Sequence, residues 1–239
     1  LGFGQAYTTN KVPFSSNMSF STYFQFKISN TVGVNDPDPS DTSPGGDGIS
    51  FIIQDISNNP TGNLKLGYQY LSSSIEIEID TFYNSGDSDP NGNHIGLNLN
   101  GNVQSVSTSI ISPRLNNGNI WHMWIDYNGE TKKIQVRISQ TNSRPMNANI
   151  DYTLSNPLSS YVNQNAYVGF GGSVYGAGQT QEIYEWKFRN TYLPYLLCGV
   201  GKYQNGSICS NCPGGYYQDQ IDSNCCQSCP SGTFSLPSS

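Results

Sequence analysis

Ile75-Glu76-Ile77-Glu78-Ile79-Asp80-Thr81-Phe82-Tyr83-Asn84 is the stretch whose reading decides the fold. Apolar and acidic residues alternate with a period of two, the pattern of a strand with one buried face. Ile75, Ile77 and Ile79 share one side, and Glu76, Glu78 and Asp80 share the other. Carboxylates two residues apart on one strand face stand about 7 Å apart and repel, more strongly where that face is partly buried. The chain then returns with Asp87, Asp89-Pro90 and His94-Ile95-Gly96. Carboxylates, an amide and an imidazole within so short a span are the ligand set of a divalent cation, which turns the repulsion into binding. The bland alternative, a solvated acidic face with polar turns, does not explain why the following loop brings further ligands. Asp87 reads as a solvated loop acid.

Working outward, residues 20–28, 121–127, 133–138 and 183–188 also alternate, with aromatic and β-branched members, and Gly, Asn, Pro or Ser clusters bound each run. Helical periodicity is nearly absent, so the pattern predicts an all-β sandwich or barrel. Asn128-Gly129 marks a hairpin turn between two of these runs. His122 reads as a strand residue and residues 32–46, rich in Asp, Pro, Ser and Gly, as a long surface loop. With 17 acids against 11 bases there is no basic stripe for nucleic acid. No apolar run is long enough for direct membrane insertion.

Catalysis finds little support. A glycosidase strand of the form Glu-x-Asp-x-x-Glu would need a carboxylate where Tyr83 stands. Glu78 and Asp80 as neighbours on one strand suit a shared cation better than the two opposed carboxyls of glycoside hydrolysis. Two histidines, and no cysteine before Cys198, leave no nucleophilic triad. The protein is expected not to be an enzyme.

Glu78-x-Asp80-Thr81-Phe82-x-Asn84, Asp89-Pro90 and His94-Ile95-Gly96 closely resemble the metal-binding segment of the legume-type lectins. Gly4-Gln5-Ala6-Tyr7, Phe20-Ser21-Thr22, Gly46-Asp47-Gly48-Ile49-Ser50-Phe51, Tyr167-Val168-Gly169-Phe170 and Glu182 to Phe188 follow in the family's order. The resemblance covers residues 1–192 and implies a jelly-roll sandwich that binds carbohydrate. It implies that Glu78, Asp80, Asp89 and His94 hold a transition metal, commonly Mn2+. Asp80, the Phe82 carbonyl, Asn84 and Asp89 would hold Ca2+. Asp47, after a cis Gly46–Asp47 peptide, would accept sugar hydroxyls, Asn84 would donate to one, and Phe82 would face the apolar side of the sugar. Gly67 and a specificity loop with Ser173, Val174 and Tyr175 would complete the site. Two departures stand out: glycines between Gly62 and Tyr68 are isolated rather than paired, and the segment from Asn98 to Ser109 is shifted, leaving Ser105 as the hydroxyl nearest the metal.

All six cysteines, Cys198, Cys209, Cys212, Cys225, Cys226 and Cys229, lie in the last 42 residues. Two Cys-x-x-Cys pairs with 13 residues between them admit a zinc ribbon. The two further cysteines, the repeated Cys-Pro-x-Gly turns and the sequon at Asn205 favour disulfides for all six, with 15 possible connectivities. The tail, residues 193–239, resembles ephrin-receptor-like or growth-factor-receptor-like repeats, which implies an array that continues in a longer precursor. Disulfides, with sequons at Asn17 and Asn205, predict a secreted or cell-surface glycoprotein. The leading expectation is a metal-dependent lectin that recognises glycans or glycoproteins in adhesion. Its rival is a structural subunit of an extracellular filament or coat, self-associating, whose cations only stabilise the fold.

Overall fold

The computed structural model describes residues 2–40, 42–60, 65–206, 208–219 and 225–236. Among the described residues, twelve strands build two facing sheets: β1 (Gly2–Tyr7), β2 (Val12–Pro13), β3 (Phe20–Gly33), β4 (Gly48–Gln54), β5 (Ser74–Asp80), β6 (His94–Leu99), β7 (Ser107–Ile110), β8 (Ile120–Asn128), β9 (Lys133–Ser139), β10 (Ile150–Thr153), β11 (Asn165–Val174) and β12 (Ala177–Arg189). One sheet has the order β1-β11-β4-β5-β6-β7, with β2 also on β11; the other runs β10-β9-β8-β3-β12. Every pairing is antiparallel.

The five alternating runs all fall on strands. Their inward residues make the core: Phe20, Phe24 and Phe26 of β3 and Met123 and Ile125 of β8 meet Phe51 of β4 and Ile75, Ile77 and Ile79 of β5. The Phe24 and Phe51 rings stack at 6.1 Å, and Phe170 approaches Phe24 edge-on at 4.9 Å. Such contacts add to the area buried and pin the rotation of one sheet on the other. The turn at Asn128-Gly129 closes β8 onto β9, with Asn128 opposite Lys133.

Two expectations need correction. Residues 32–46 do not form a surface loop throughout. β3 extends to Gly33, paired with Ala177, and Asp36 and Asp38 are buried. Their carboxylates find backbone N–H partners, among them Tyr83 at 3.1 Å and Gly92 at 2.8 Å, which a composition rich in loop residues cannot reveal.

The second correction concerns the cysteines. Cys198–Cys209 and Cys212–Cys226 are the disulfides among the described residues. Cys225 and Cys229 belong to neither bridge. With Cys226 committed to Cys212, its neighbour Cys225 is turned to solvent, and the Cys229 sulfur lies 3.5 Å from the Ser235 hydroxyl. β13 (Lys202–Asn205) pairs with β14 (Ile208–Asn211), and β15 (Tyr216–Tyr217) with β16 (Gln227–Ser228), as two small ribbons around the bridges.

Candidate functional site

β5 is the middle of the site. Its outer face carries Glu76, Glu78 and Asp80, and antiparallel register places Glu78 opposite Gly96 and Asp80 opposite His94 on β6. A Cβ on Gly96 would stand 2.1 Å from the Ser105 hydroxyl and 2.2 Å from Glu78 Oε1, so only glycine leaves room for both groups there. Ser105 donates to Glu78 Oε1 at 2.5 Å, which places the expected hydroxyl directly against the cluster. Asn98 donates to Glu78 Oε2 at 2.7 Å, and the Tyr68 hydroxyl donates to the same oxygen.

After β5 the chain turns through a short 3-10 helix, Ser85–Asp87, and comes back to β6. Asp80 accepts the Phe82 N–H at 2.8 Å, and Asp89 accepts the Asn84 N–H at 2.7 Å. Ligand atoms of Asp80, Asp89 and His94 all lie within 4.8 Å of one another. Glu78 Oε1 stands 3.4 Å from His94 Nε2.

The donor set fits a cation. His94 Nδ1 lies 2.9 Å from the Asn91 carbonyl, so Nδ1 carries a proton there and Nε2 is the nitrogen that faces the carboxylates. Among the described residues, His94 Nε2 and Asn84 Oδ1 are both buried without a hydrogen-bond partner, which two polar atoms rarely are unless something else binds them. Burial pushes Asp80 well above the usual carboxylate range, with the charges of Glu78 and Asp89 adding to it. Burial opposes the charged form of His94 too, yet Glu78, Asp80 and Asp89 outweigh it and raise its pKa to about 9. With no cation, protonated His94 is the positive charge that the carboxylates share.

Asp47 stands beside this loop. The Gly46–Asp47 peptide is cis. Asp47 Oδ2 accepts the Ser173 hydroxyl at 2.8 Å, and Ser173 accepts the Leu66 N–H at 2.9 Å. The Asp47 carbonyl accepts both the N–H and the hydroxyl of Thr81, each at 2.8 Å. Burial raises the Asp47 pKa, while Ser173 and the charge of Lys65 oppose the rise. Phe82 is half-buried and its ring lies against Gly46, which brings it beside the Asp47 loop.

Gly67 is buried at φ +77° with its Cα packed against Gly171. Val174 belongs to the ladder opposite Gly2, while Tyr175 is 71% exposed at the tip of the loop. Asp87 is not merely solvated: it pairs with Lys65. His122 lies on β8 with Nδ1 2.8 Å from the Tyr23 hydroxyl, away from the cluster. Asn17 and Asn205 are exposed, and Ser207 of the second sequon lies outside the described residues, as does Gly62. Sequence reasoning overlooked Lys65, Arg114 and Asn116, which carry no motif and reach the site only through tertiary contacts.

Residues 2–194 match the family model of the legume lectin domain. The chain belongs to the legume lectin family. Among its curated relatives, the L-type lectin-domain containing receptor kinase VIII.1 of Arabidopsis thaliana is 33% identical over 190 residues, 77% of this chain and 25% of the relative. The chain thus spans about a quarter of the length of the receptor kinases it matches. Agglutinin-2 of Cladrastis kentukea is 33% identical over 72% of this legume lectin chain and 58% of its own. Among solved structures, lectin II from Ulex europaeus aligns with a TM-score of 0.58 at 25% identity, covering 78% of this chain and 80% of that one. Lectin UEA-II complexed with galactose aligns equally well over the same shares. The matched family is one of lectins, not of enzymes, and the all-β sandwich is the family's fold.

Proposed function

We propose that residues 2–194 are a cation-dependent carbohydrate-binding module of a secreted or cell-surface protein. One observation carries the reading: Asp47 is held by Ser173 and Thr81 beside half-buried Phe82, and two residues on stands Asn84, whose Oδ1 has no hydrogen-bond partner among the described residues. A sugar offers hydroxyls and one apolar face, so a site for it needs a fixed acceptor, a fixed donor and a ring. Asp47 is the acceptor, the Asn84 amide nitrogen the donor and Phe82 the ring. Galactose, the ligand in the aligned UEA-II complex, is the first sugar to test.

Glu78, Asp80, Asp89 and His94 would hold a transition metal such as Mn2+, and Asp80, the Phe82 carbonyl, Asn84 and Asp89 would hold Ca2+. The cations would supply fixed positive charge; the chain's own part is to present Asn84 with its nitrogen outward and its oxygen inward. The two disulfides fit an oxidising compartment. The tail after the sandwich would be a spacer that sets the site away from its attachment, with Asn17 and Asn205 glycosylated. Glycans or glycoproteins would then be the partners, in recognition or adhesion.

Binding to a glycan array with Ca2+ and Mn2+, repeated after EDTA, tests this. Chelation should abolish the signal. Asp47→Ala should lower affinity at least about a hundredfold, because two charge-assisted hydrogen bonds are lost at about 1.5–3 kcal/mol each. Retained binding by that variant would remove Asp47 from the site. If no glycan binds while both cations raise the melting temperature, the filament-subunit reading becomes the better one. Self-association in solution would then be the next measurement.

A further inference from the structure

Arg114, Asn116, Thr81 and Gln179 close a ring of hydrogen bonds around the base of the site. Arg114 Nη2 donates to the Thr81 carbonyl at 3.0 Å, and its Nε donates to Asn116 Oδ1 at 3.0 Å. Asn116 Nδ2 donates to Gln179 Oε1 at 3.4 Å, and Gln179 Nε2 donates to Thr81 Oγ1 at 2.9 Å. Thr81 has one hydroxyl proton, and it goes to the Asp47 carbonyl. The ring therefore joins four segments: the β7–β8 connection, the end of β5, the start of β12 and, through Thr81, the loop that bears Asp47.

Arg114 also reaches the far end of the ligand loop. Its Nη2 lies 3.3 Å from Asp36 Oδ2 and 3.4 Å from the Gly92 carbonyl. Asp36 in turn accepts the Tyr83 N–H, and Asp38 accepts the Gly92 N–H. A Cβ on Gly92 would stand 1.9 Å from Asp36 Oδ2, so the contact needs glycine. Phe82, Asn84 and Asp89 all lie between these two anchored ends. None of the anchoring groups is itself a cation ligand.

We propose that Arg114 is the positioning residue that locks the 81–92 loop and the Asp47 loop into one unit before a cation arrives. This rests on the reading of that loop as a cation site. A loop already ordered loses little conformational freedom on binding, and the affinity that would otherwise go into ordering it is retained. Lysine cannot replace the guanidinium here, because one ammonium lacks the planar fork that serves Asn116 and Thr81 together.

The test uses the whole chain, stripped of metal, with Ca2+ alone as the probe. Calorimetric titration of Arg114→Lys should show Ca2+ affinity at least about tenfold below wild type. In EDTA, hydrogen exchange across residues 81–92 should speed up while that of β5 does not. Gln179→Leu, which opens the ring but keeps the Asp36 pair, should weaken Ca2+ binding less than Arg114→Lys does. Ca2+ affinity within twofold of wild type in Arg114→Lys, with exchange across 81–92 unchanged, would overturn the proposal. Should Arg114→Lys fail to fold, Asp36→Asn carries the same expectation and the same overturning result. A wild-type chain that takes up no Ca2+ removes the cation reading itself, an outcome distinct from loss of the clamp alone.

Discussion

His94 shows how one side chain serves two states of the site. Its folded pKa of about 9 lies above the unfolded value near 6.5, so the metal-free fold holds a proton that the unfolded chain releases between these values. That proton's stabilising contribution is full below about pH 6.5 and is lost as pH rises through about 9. A cation at Nε2 would replace the proton, so its binding must release protons in this window. We expect the melting temperature in EDTA to fall from pH 6.5 to 9, and the fall to shrink with Mn2+ present. At pH 7.5, calorimetry in buffers of different ionisation enthalpy should report proton release on Mn2+ binding; no buffer dependence would contradict the assignment of His94 as a ligand. The place of His94 beside the carboxylates was legible because His94-Ile95-Gly96 follows an acidic strand. The Asn91 carbonyl that orients the ring was not, since a backbone acceptor leaves no mark on residue type.

β5 divides its labour between two faces, and Glu76 is where the outer face departs from a ligand row. Glu76 is fully buried opposite Ile52, a member of the Ile52, Leu66, Tyr68 and Leu71 cluster, and among the described residues neither of its oxygens has a hydrogen bond of normal geometry. Burial, joined by the charge of Glu78, pushes its pKa well above the usual range, with weaker opposition from Ser74 and the Gly101 backbone. An acid whose folded pKa is raised destabilises the fold increasingly as pH rises above its unfolded value. Glu76→Gln should therefore raise the melting temperature at pH 7–8 by a few degrees, for a gain of about 1–2 kcal/mol. The difference should vanish near pH 4, and an unchanged melting temperature at pH 8 would show that Glu76 is better solvated than its burial indicates. Alternation along β5 predicted that Glu76, Glu78 and Asp80 share a face. It could not predict that residues 65–71 cover one end of that face, because the covering segment packs by shape and not by period. The same limit hid Asp36 and Asp38, whose loop composition is indistinguishable from that of a solvated turn.

Across the whole molecule, the cysteine-rich tail is not simply appended to the sandwich. Tyr195 is buried against Tyr23 and Trp124 on the outer face of the β10-β9-β8-β3-β12 sheet, with Leu197 beside them. The Arg189 guanidinium lies 3.9 Å over the Tyr195 ring, and the Leu193 N–H donates to the Ser21 hydroxyl at 3.1 Å. Gln204 of β13 reaches back to the Pro194 carbonyl at 2.6 Å, and the Cys198–Cys209 bridge closes the adjoining segment. The composition changes after Tyr192, but the docking leaves no sign in it: nothing in an isolated Leu-Pro-Tyr tells which sheet face it will meet. Burying an aromatic ring of this size contributes about 1.5–3 kcal/mol, and a cation over its face adds about 0.5–2 kcal/mol. Tyr195→Ala should forfeit most of both locally without unfolding the sandwich, whose core lies on the other face of the sheet. Exchange across residues 193–205 should then accelerate while β5 stays protected, and Trp124, newly wet, should shift its emission to the red. Unchanged exchange and emission would mean that the disulfide and Gln204 hold the tail by themselves. If both change, the aromatic plug fixes the direction in which the tail leaves the sandwich, and with it the orientation of the Asp47 end relative to whatever follows in the chain.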